Sequence, residues 1–357
     1  MDEATLETKP KNSGAKRSRK GAPGLLDVAA RVGVSGATVS RCYNHPDTVQ
    51  PQTRKRILEA AAELGYIRDR AAGTLHGRSS GTVGLVVPTI DNAIFAELIE
   101  AFSSHLQLHD RTMLIASHNY DLEQEVSIIR SLLERRIDAI ALVGRDHSDV
   151  ALEMLRLRDI PVCTLWNIGT NASLPSIGTD NKAAAMHVTQ HVIDLGHNNI
   201  ALMFPDTTKN DRARDRKEGA LAALEANNIT IPERWEVHCP YDSAEAKLAA
   251  VHLLKGRREA PSAIVCGNDI IAYGALYATQ QLGLRVPDDV SIVGIGDFSH
   301  SSAIEPALTT VRLPARRIGQ MAAKRLIEQL HNQKEPAEKH TVIPPELVVR
   351  ASSGYVG

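Results

Sequence analysis

Cysteine is scarce in this sequence: there are 4 in 357 residues, at Cys42, Cys163, Cys239 and Cys266. They are far apart and form no CxxC pair, so neither a zinc site nor a disulfide framework is encoded, and buried free thiols are expected. Long apolar runs are missing too. Nothing approaches the roughly 18 to 20 residues that a membrane span requires, so no membrane partner is expected. The first residues, MDEATLETKPKNSGAKRSRKGAPG, lack the apolar core of a signal peptide, and a cytoplasmic location is the expectation. The chain contains no GxxxxGK[ST] phosphate loop, no GxSxG elbow and no HExxH. GIGD at 294–297 lacks the final glycine of a dinucleotide fingerprint and lies in a late strand rather than the first. The 14 His residues are scattered, and His197 in LGHNN has the setting of a cap or turn residue. No enzyme, no cofactor and no metal are expected.

What is present is ordinary in amount and uneven in distribution. At 357 residues, 43% apolar and 23% charged, the chain has room for two or three domains with a sizeable core. A net charge of −1 conceals a basic head: residues 9–82 hold 14 Lys and Arg against 5 Asp and Glu. With −3 in residues 1–8, that balance of +9 leaves −7 for residues 83–357. A compact basic end on a mildly acidic body points to nucleic acid at one end only. Residues 1–24, with Lys16, Arg17, Arg19 and Lys20 among Gly and Pro, read as a disordered basic arm.

The rest of the basic charge lies within helical patterns. LLDVAARV (25–32) places Leu25, Val28, Ala29 and Val32 at helical spacing, and Gly33 ends the run. Ser35 stands at an N-cap position for a second helix over about 36–43, with Val39 and Cys42 inward. Two short helices about a Gly-containing turn make a helix-turn-helix. Gly36 and Ala37 would let that helix come close to the floor of a major groove. Arg41 can reach a guanine edge, while Thr38, Ser40 and Asn44 can hold phosphates. A third helix follows in PQTRKRILEAAAELGY, with Pro51 first, Ile57, Ala61 and Leu64 inward, and Thr53, Arg54 and Lys55 at its phosphate-favouring start.

The run LLDVAARVGVSGATVSRCYN followed by TRKRILEAAAELGYIRDRAAGTL resembles the head of the lactose-repressor (LacI) family of bacterial transcription regulators. In that family the first, second and sixth residues of the recognition helix read bases; here these are Gly36, Ala37 and Arg41. Gly36 has no side chain and Ala37 offers only a methyl, so most polar readout is expected at Arg41. The resemblance also implies a hinge helix within residues 68–77, with Leu75 as a minor-groove wedge beside Arg70 and Ala72. Three departures are Arg68-Asp69 for the usual Pro-Asn, Gly73 for a longer side chain, and Gln50 for a capping Ser. A glycine inside a helix costs about 0.5 to 1 kcal/mol relative to Ala, so this hinge is expected to be disordered off DNA.

From residue 81 short apolar runs alternate with longer amphipathic ones. TVGLVVP, TMLIAS, DAIALVG and PVCTLW read as buried parallel strands, with helices near 93–109, 121–136 and 148–159. NIALMF, WEVHC, SAIVCG and SIVGIG form a second series, with helices near 182–195, 212–227, 242–256 and 269–283. Two such sets predict two doubly wound parallel-sheet α/β subdomains with ligands held at strand carboxyl ends. The resemblance covers nearly all of residues 25–353 and implies a periplasmic-binding-protein-like body crossed three times, around 178, 309 and 338. The expected organisation is a head over 25–67, hinge and linker over 68–80, one subdomain from 81–178 with 310–337, and another from 179–309 with 338–357.

By position, the resemblance assigns effector contacts to Asp91, Asn92, Phe95, Trp166, Arg216, Asn268 and Asp269. Flat apolar faces from Phe95 and Trp166, with charged forks from Arg216 and Asp269, suit a polyhydroxy ligand. Gly296 stands where the family often carries a carboxylate, and Trp166 where a smaller polar residue is common. The cleft is therefore less acidic than in a neutral-sugar sensor, and a sugar acid such as gluconate is the expected effector. The whole reads as a cytoplasmic, nucleoid-associated regulator, by default a repressor of carbohydrate genes, binding a palindromic double-stranded operator as a homodimer. With no leucine heptad of the tetramer-forming kind around RASSGYVG, a dimer rather than a tetramer is the expectation. Two other readings remain: a protein corepressor in place of the small molecule, and a solute-binding protein, for which the basic head would be pointless.

Overall fold

The computed structural model describes residues 22–68, 79–168, 174–255, 260–332 and 338–356. The chain divides into two compact units, residues 1–78 and 79–357. The hinge residues Arg70, Ala72, Gly73 and Leu75 and most of the basic arm lie outside the described residues.

The first unit is a three-helix head: α1 Leu25–Val32, α2 Gly36–Asn44 and α3 Pro51–Leu64. Each helix is too short to be stable unaided, so packing of one apolar stripe holds them together. Val28, Val32, Val39, Cys42, Ile57 and Ala61 form that core. Gly33 and Gly65 close α1 and α3 in the left-handed conformation, while Ser35 caps α2 by accepting from the Thr38 N–H at 3.2 Å. Gln50 makes no side-chain cap for α3.

The second unit contains two six-stranded sheets flanked by helices. The first series is β1 Thr82–Val87, α4 Ala93–Gln107, β2 Thr112–Ser117, α5 Leu122–Glu134, β3 Ala139–Val143, α6 Asp149–Arg158, β4 Val162–Asn167 and β5 Ser176–Thr179. The second is α7 Asn181–Asp194, β6 Ile200–Phe204, α8 Asp211–Ala226, β7 Glu236–His238, α9 Ser243–Leu254, β8 Ala263–Cys266, α10 Asp269–Leu282, β9 Ser291–Gly296 and β10 Thr309–Arg312. The chain ends with α11 Ala315–Asn332, β11 His340–Val342 and β12 Glu346–Val348. Strand order is β11-β5-β4-β3-β1-β2 in one sheet and β12-β10-β9-β8-β6-β7 in the other. All ladders are parallel except β10 with β12. The central strands β1, β3, β4, β8 and β9 are buried on both faces, which is why they read as unbroken apolar runs. All four cysteines are free and buried. Among the described residues no helix is long and apolar enough to cross a membrane.

Two expected boundaries are corrected. β10 pairs with β9 through Arg312, so the crossing expected at 309 comes after that residue. β11 joins β5 in the first sheet, so the crossing expected at 338 falls between Val342 and Glu346. Strands of three or four residues carry too little pattern to show which sheet takes them; ladder pairing decides it. After the second crossing, α11 returns to pack on α4. Gly319 allows this approach, since a Cβ there would lie 2.5 Å from the Leu98 carbonyl oxygen.

Candidate DNA-binding surface and effector cleft

In the head, Ala37 and Arg41 are exposed on α2 and Thr53 is half-buried at the start of α3. Thr38, Ser40 and Asn44, predicted to hold phosphates, already make hydrogen bonds within the head. The Ser35 hydroxyl lies 2.9 Å from that of Thr38. The Asn44 amide donates to the Ser40 carbonyl at 2.8 Å and the Ser40 hydroxyl at 3.0 Å, and its oxygen accepts from Arg68. Arg68 also donates to the Tyr43 carbonyl at 3.3 Å. The residue that departs from the family pattern thus secures the end of the recognition helix. Beside Gly36 the head itself leaves little room: a Cβ there would point at Leu25 and Leu26, 3.1 and 3.2 Å away.

In the body, the seven predicted effector residues fall into two groups. Asp91 is exposed and Asn92 half-buried, in the loop after β1, and Asn92 caps α4 by accepting from the Ile94 N–H at 3.3 Å. Phe95, Trp166, Arg216, Asn268 and Asp269 are buried. Phe95 meets Trp166 edge-on with centroids 5.4 Å apart. Trp166 holds a left-handed backbone at φ 80°, an uncommon state for so large a residue. Arg216 donates through Nε to Asn181 at 2.8 Å and through Nη1 to the Gly267 carbonyl at 3.0 Å. Asn181 donates in turn to Asn167 at 3.3 Å. One polar path therefore joins the carboxyl end of β4 to that of β8, with Trp166 and Asn268 flanking its ends.

Along this path several donors lack acceptors. Among the described residues no carboxylate comes within ion-pair distance of Arg216, and burial lowers its pKa. The Trp166 Nε1–H and the Asn268 Nδ2 amide have no hydrogen-bond partner. Asn268 is oriented by its cap, its oxygen accepting from Ile271 N–H at 3.0 Å, so the amide nitrogen must point elsewhere. Asp269 differs. It accepts from Phe298 N–H at 2.9 Å, Ser301 Oγ at 2.6 Å and Thr310 Oγ1 at 2.6 Å. Burial raises its pKa against those three bonds. The expected fork for a ligand is thus a tie among elements of its own subdomain. Gly296, at φ 145°, could not carry a Cβ without meeting Phe298 Cε1 at 2.3 Å. The neighbouring Asp297 pairs with Arg312 and Arg350.

A second cluster escaped the reading of the sequence. The loop after β3 carries Arg145, Asp146 and His147, and it meets the first turn of α8. Arg145 Nη2 binds both oxygens of Asp215 at 2.8 Å, and its backbone N–H donates to Asp211 at 2.8 Å. Arg214 reaches Asp146 at 2.9 Å. Asn167 Nδ2 bridges Asp211 and Asp215 at 2.9 Å each, and Arg212 pairs with Asp211 at 2.7 Å. Burial opposes ionisation of Asp211, but Arg212, Asn167 and Arg145 together hold its pKa below the usual value. Behind the loop, His147 Nδ1 lies 2.7 Å from the buried Glu125 and Nε2 3.1 Å from the Gly144 carbonyl. The dense alternating charge of NDRARDRKEG at a helix start was the available signal.

Beside this bridge a cavity of about 850 Å³ opens between the loops after β1 and β2 and those after β6 and β7. Asp91, Asn92, Tyr120, Gln124, Asn210 and Tyr241 are among its walls. Burial pushes the Tyr120 phenol up to about 12, against the opposing pull of Arg212 and Arg216. Tyr120 is a wall residue; Phe95, Trp166, Arg212, Arg216, Asn268 and Asp269 do not line this cavity. Among the described residues no group of three or more His, Cys, Asp or Glu could hold a metal.

Comparison with known proteins bears on both units. A family model described as bacterial regulatory proteins, lacI family, matches residues 24–69, and one for a periplasmic binding protein-like domain matches residues 189–353. The chain is 31% identical to the HTH-type transcriptional repressor PurR of Proteus mirabilis (strain HI4320) over 331 residues, 92% of this chain and 96% of that protein. It is 32% identical to the HTH-type transcriptional regulator GntR of Escherichia coli (strain K12) over 319 residues, 88% of this chain and 94% of that one. The structure superimposes with a TM-score of 0.82 on the lac repressor dimer bound to operator and the anti-inducer ONPF, at 26% identity, covering 94% and 100% of the two chains. The chain is a DNA-binding transcriptional regulator of the LacI family, and not an enzyme.

Proposed function

We propose that this regulator is a repressor of carbohydrate or sugar-acid genes, that it binds a palindromic operator as a homodimer, and that its effector is a small carboxylate-bearing polyol of the gluconate kind. The observation that carries the effector reading is the buried Arg216 without an ionic partner. Trp166 Nε1–H and Asn268 Nδ2, which flank the ends of its path, have no acceptor among the described residues. Burying unpaired donors is costly, and a carboxylate with adjacent hydroxyls would supply acceptors for these two and a counter-charge for Arg216. Asp91 and Asn92 would contact the ligand from the cavity wall, and Phe95 would fix the plane of Trp166. Asp269 would act indirectly, by holding the start of α10. The lac repressor complex supports a dimer that binds operator and a small molecule together.

The test is a thermal-shift screen of the full-length protein against sugar acids, neutral sugars and phosphorylated sugars. A ligand at 100 times its dissociation constant adds about 2.7 kcal/mol, which is readily seen. Stabilisation by sugar acids, abolished in Arg216→Ala while operator binding persists, is the expected result. Stabilisation only by neutral sugars would remove the carboxylate from the proposal, and silence across the panel would bring a protein corepressor forward.

A further inference from the structure

A pair of buried side chains behind the β3 loop belongs neither to the DNA-binding surface nor to the cavity. Glu125, on α5, and His147, in that loop, have side chains 0% and 2% exposed. One Glu125 oxygen lies 2.7 Å from His147 Nδ1, and the other accepts from the Ser148 N–H at 3.0 Å. On the far side of the ring, Nε2 lies 3.1 Å from the Gly144 carbonyl oxygen. A carbonyl only accepts, so Nε2 carries a proton. A neutral ring would then turn the bare lone pair of Nδ1 onto a carboxylate. Both contacts hold together only when the pair shares one further proton. Burial opposes charge on Glu125, yet the bonds from His147 and Ser148 keep its carboxyl below the usual value.

Other charged groups face the same spot. His118 at the end of β2, Asp121 just beyond it and Arg212 from α8 act there together with the pair. His118 Nδ1 has no hydrogen-bond partner, and burial disfavours its charged form. The ring holds Gly144 and Glu125 holds Ser148, the two ends of the loop. Its middle residues, Arg145 and Asp146, pair with Asp215 and Arg214 on α8. Gly144 is itself tightly placed: its φ is 109°, and a Cβ there would lie 2.5 Å from Arg212 Nη1. Without the shared proton the ring must leave Glu125 or Gly144, and one end of the loop is released.

We propose that Glu125 and His147 form a proton-binding site, through which pH regulates how firmly the β3 loop bridges to α8 in the other subdomain. The inference goes beyond the effector reading and holds whatever ligand the cavity takes. The bridged form binds one proton that the released form does not need, so acid favours the bridge and rising pH loosens it. The sense is opposite to that of a buried neutral imidazole such as His118.

The experiment follows amide exchange of the full-length protein from about pH 6 to 9, across and beyond the ordinary imidazole range. It is read at the Arg145 N–H, which donates to Asp211, as protection relative to an unstructured amide at the same pH. Above the titration of the pair, protection is expected to fall about tenfold per pH unit, the signature of one linked proton. In Glu125→Gln the amide nitrogen donates to a neutral ring while the amide oxygen still accepts from Ser148. Protection should therefore persist and lose its pH dependence. His118→Gln should keep the dependence of the unaltered protein. Imidazole nitrogen resonances, with His147 assigned by the signal lost in His147→Gln, give the protonation itself. Both His147 nitrogens should carry protons at the acid end, and one proton should leave over the range where protection falls. Protection that does not vary with pH, or that varies equally in Glu125→Gln, would overturn the proposal. So would a His147 ring with a single proton throughout, a result that decides the matter even if the Glu125 variant does not fold.

Discussion

Arg41 is exposed on α2, whereas Ser40 and Asn44 on the same helix are tied to each other and Asn44 to Arg68. Base readout by long polar side chains is therefore expected to concentrate on Arg41. Arg41→Ala is expected to cost about 1 to 3 kcal/mol and to relax preference at a single operator position. Binding titrations against operator variants check this, and an equal loss on every sequence would mean a phosphate contact instead. Arg216 shows the other side of the residue scale. Its identity was legible in RKEG, but its lack of an ionic partner was not. That depends on Asn181 and Gly267, 35 and 51 residues away, being the groups that meet it.

At the scale of elements, the bridge between the β3 loop and the start of α8 joins Arg145, Arg212 and Arg214 to Asp146, Asp211 and Asp215. Arg145 is 30% exposed at its side chain and Asp215 15%. Removing the guanidinium would leave Asp211 and Asp215 near each other with less compensation. Arg145→Ala should lower stability by about 1 to 3 kcal/mol, the cost of leaving such groups unsatisfied. A urea titration of the full-length protein reads it, and an unchanged midpoint would show that water replaces the arginine. His147, set between Glu125 and the Gly144 carbonyl, positions the same loop. These contacts were missed in the sequence because GRDHSD is a surface-like phrase by composition. Only the facing helix gives it a partner.

At the scale of the whole molecule, His118, His191 and His197 respond together to acid. Burial lowers the pKa of each below the usual 6.5. Their folded values are depressed, so the unfolded chain takes up protons first as pH falls. The stability they contribute is complete above about 6.5 and is lost on acidification through that region. Thermal melts of the protein should show Tm falling between pH 7.5 and 5.5, with the slope reduced in His118→Gln. A flat or rising profile would show that the buried imidazoles gain compensating partners. Across the body, effector and operator must affect each other by the same factor, whichever direction the coupling takes.

Local pattern alone determined much of this protein. The three head helices, eight strands and seven body helices were readable from apolar period and apolar run, although β2 and β7, expected as buried strands, are sheet edges with half-buried or exposed residues throughout. Tertiary structure decided what those periods do not encode. β10, β11 and β12 are three or four residues long and belong where their ladders close. α11 returns to α4 through the close approach at Gly319. Asp269 became an internal tie and Arg216 a charge without an ion-pair partner among the described residues, because the partners of a buried polar group come from distant parts of the chain. Gly36 was visible as a missing side chain; that Leu26 fills the space beside it required two helices to be packed together.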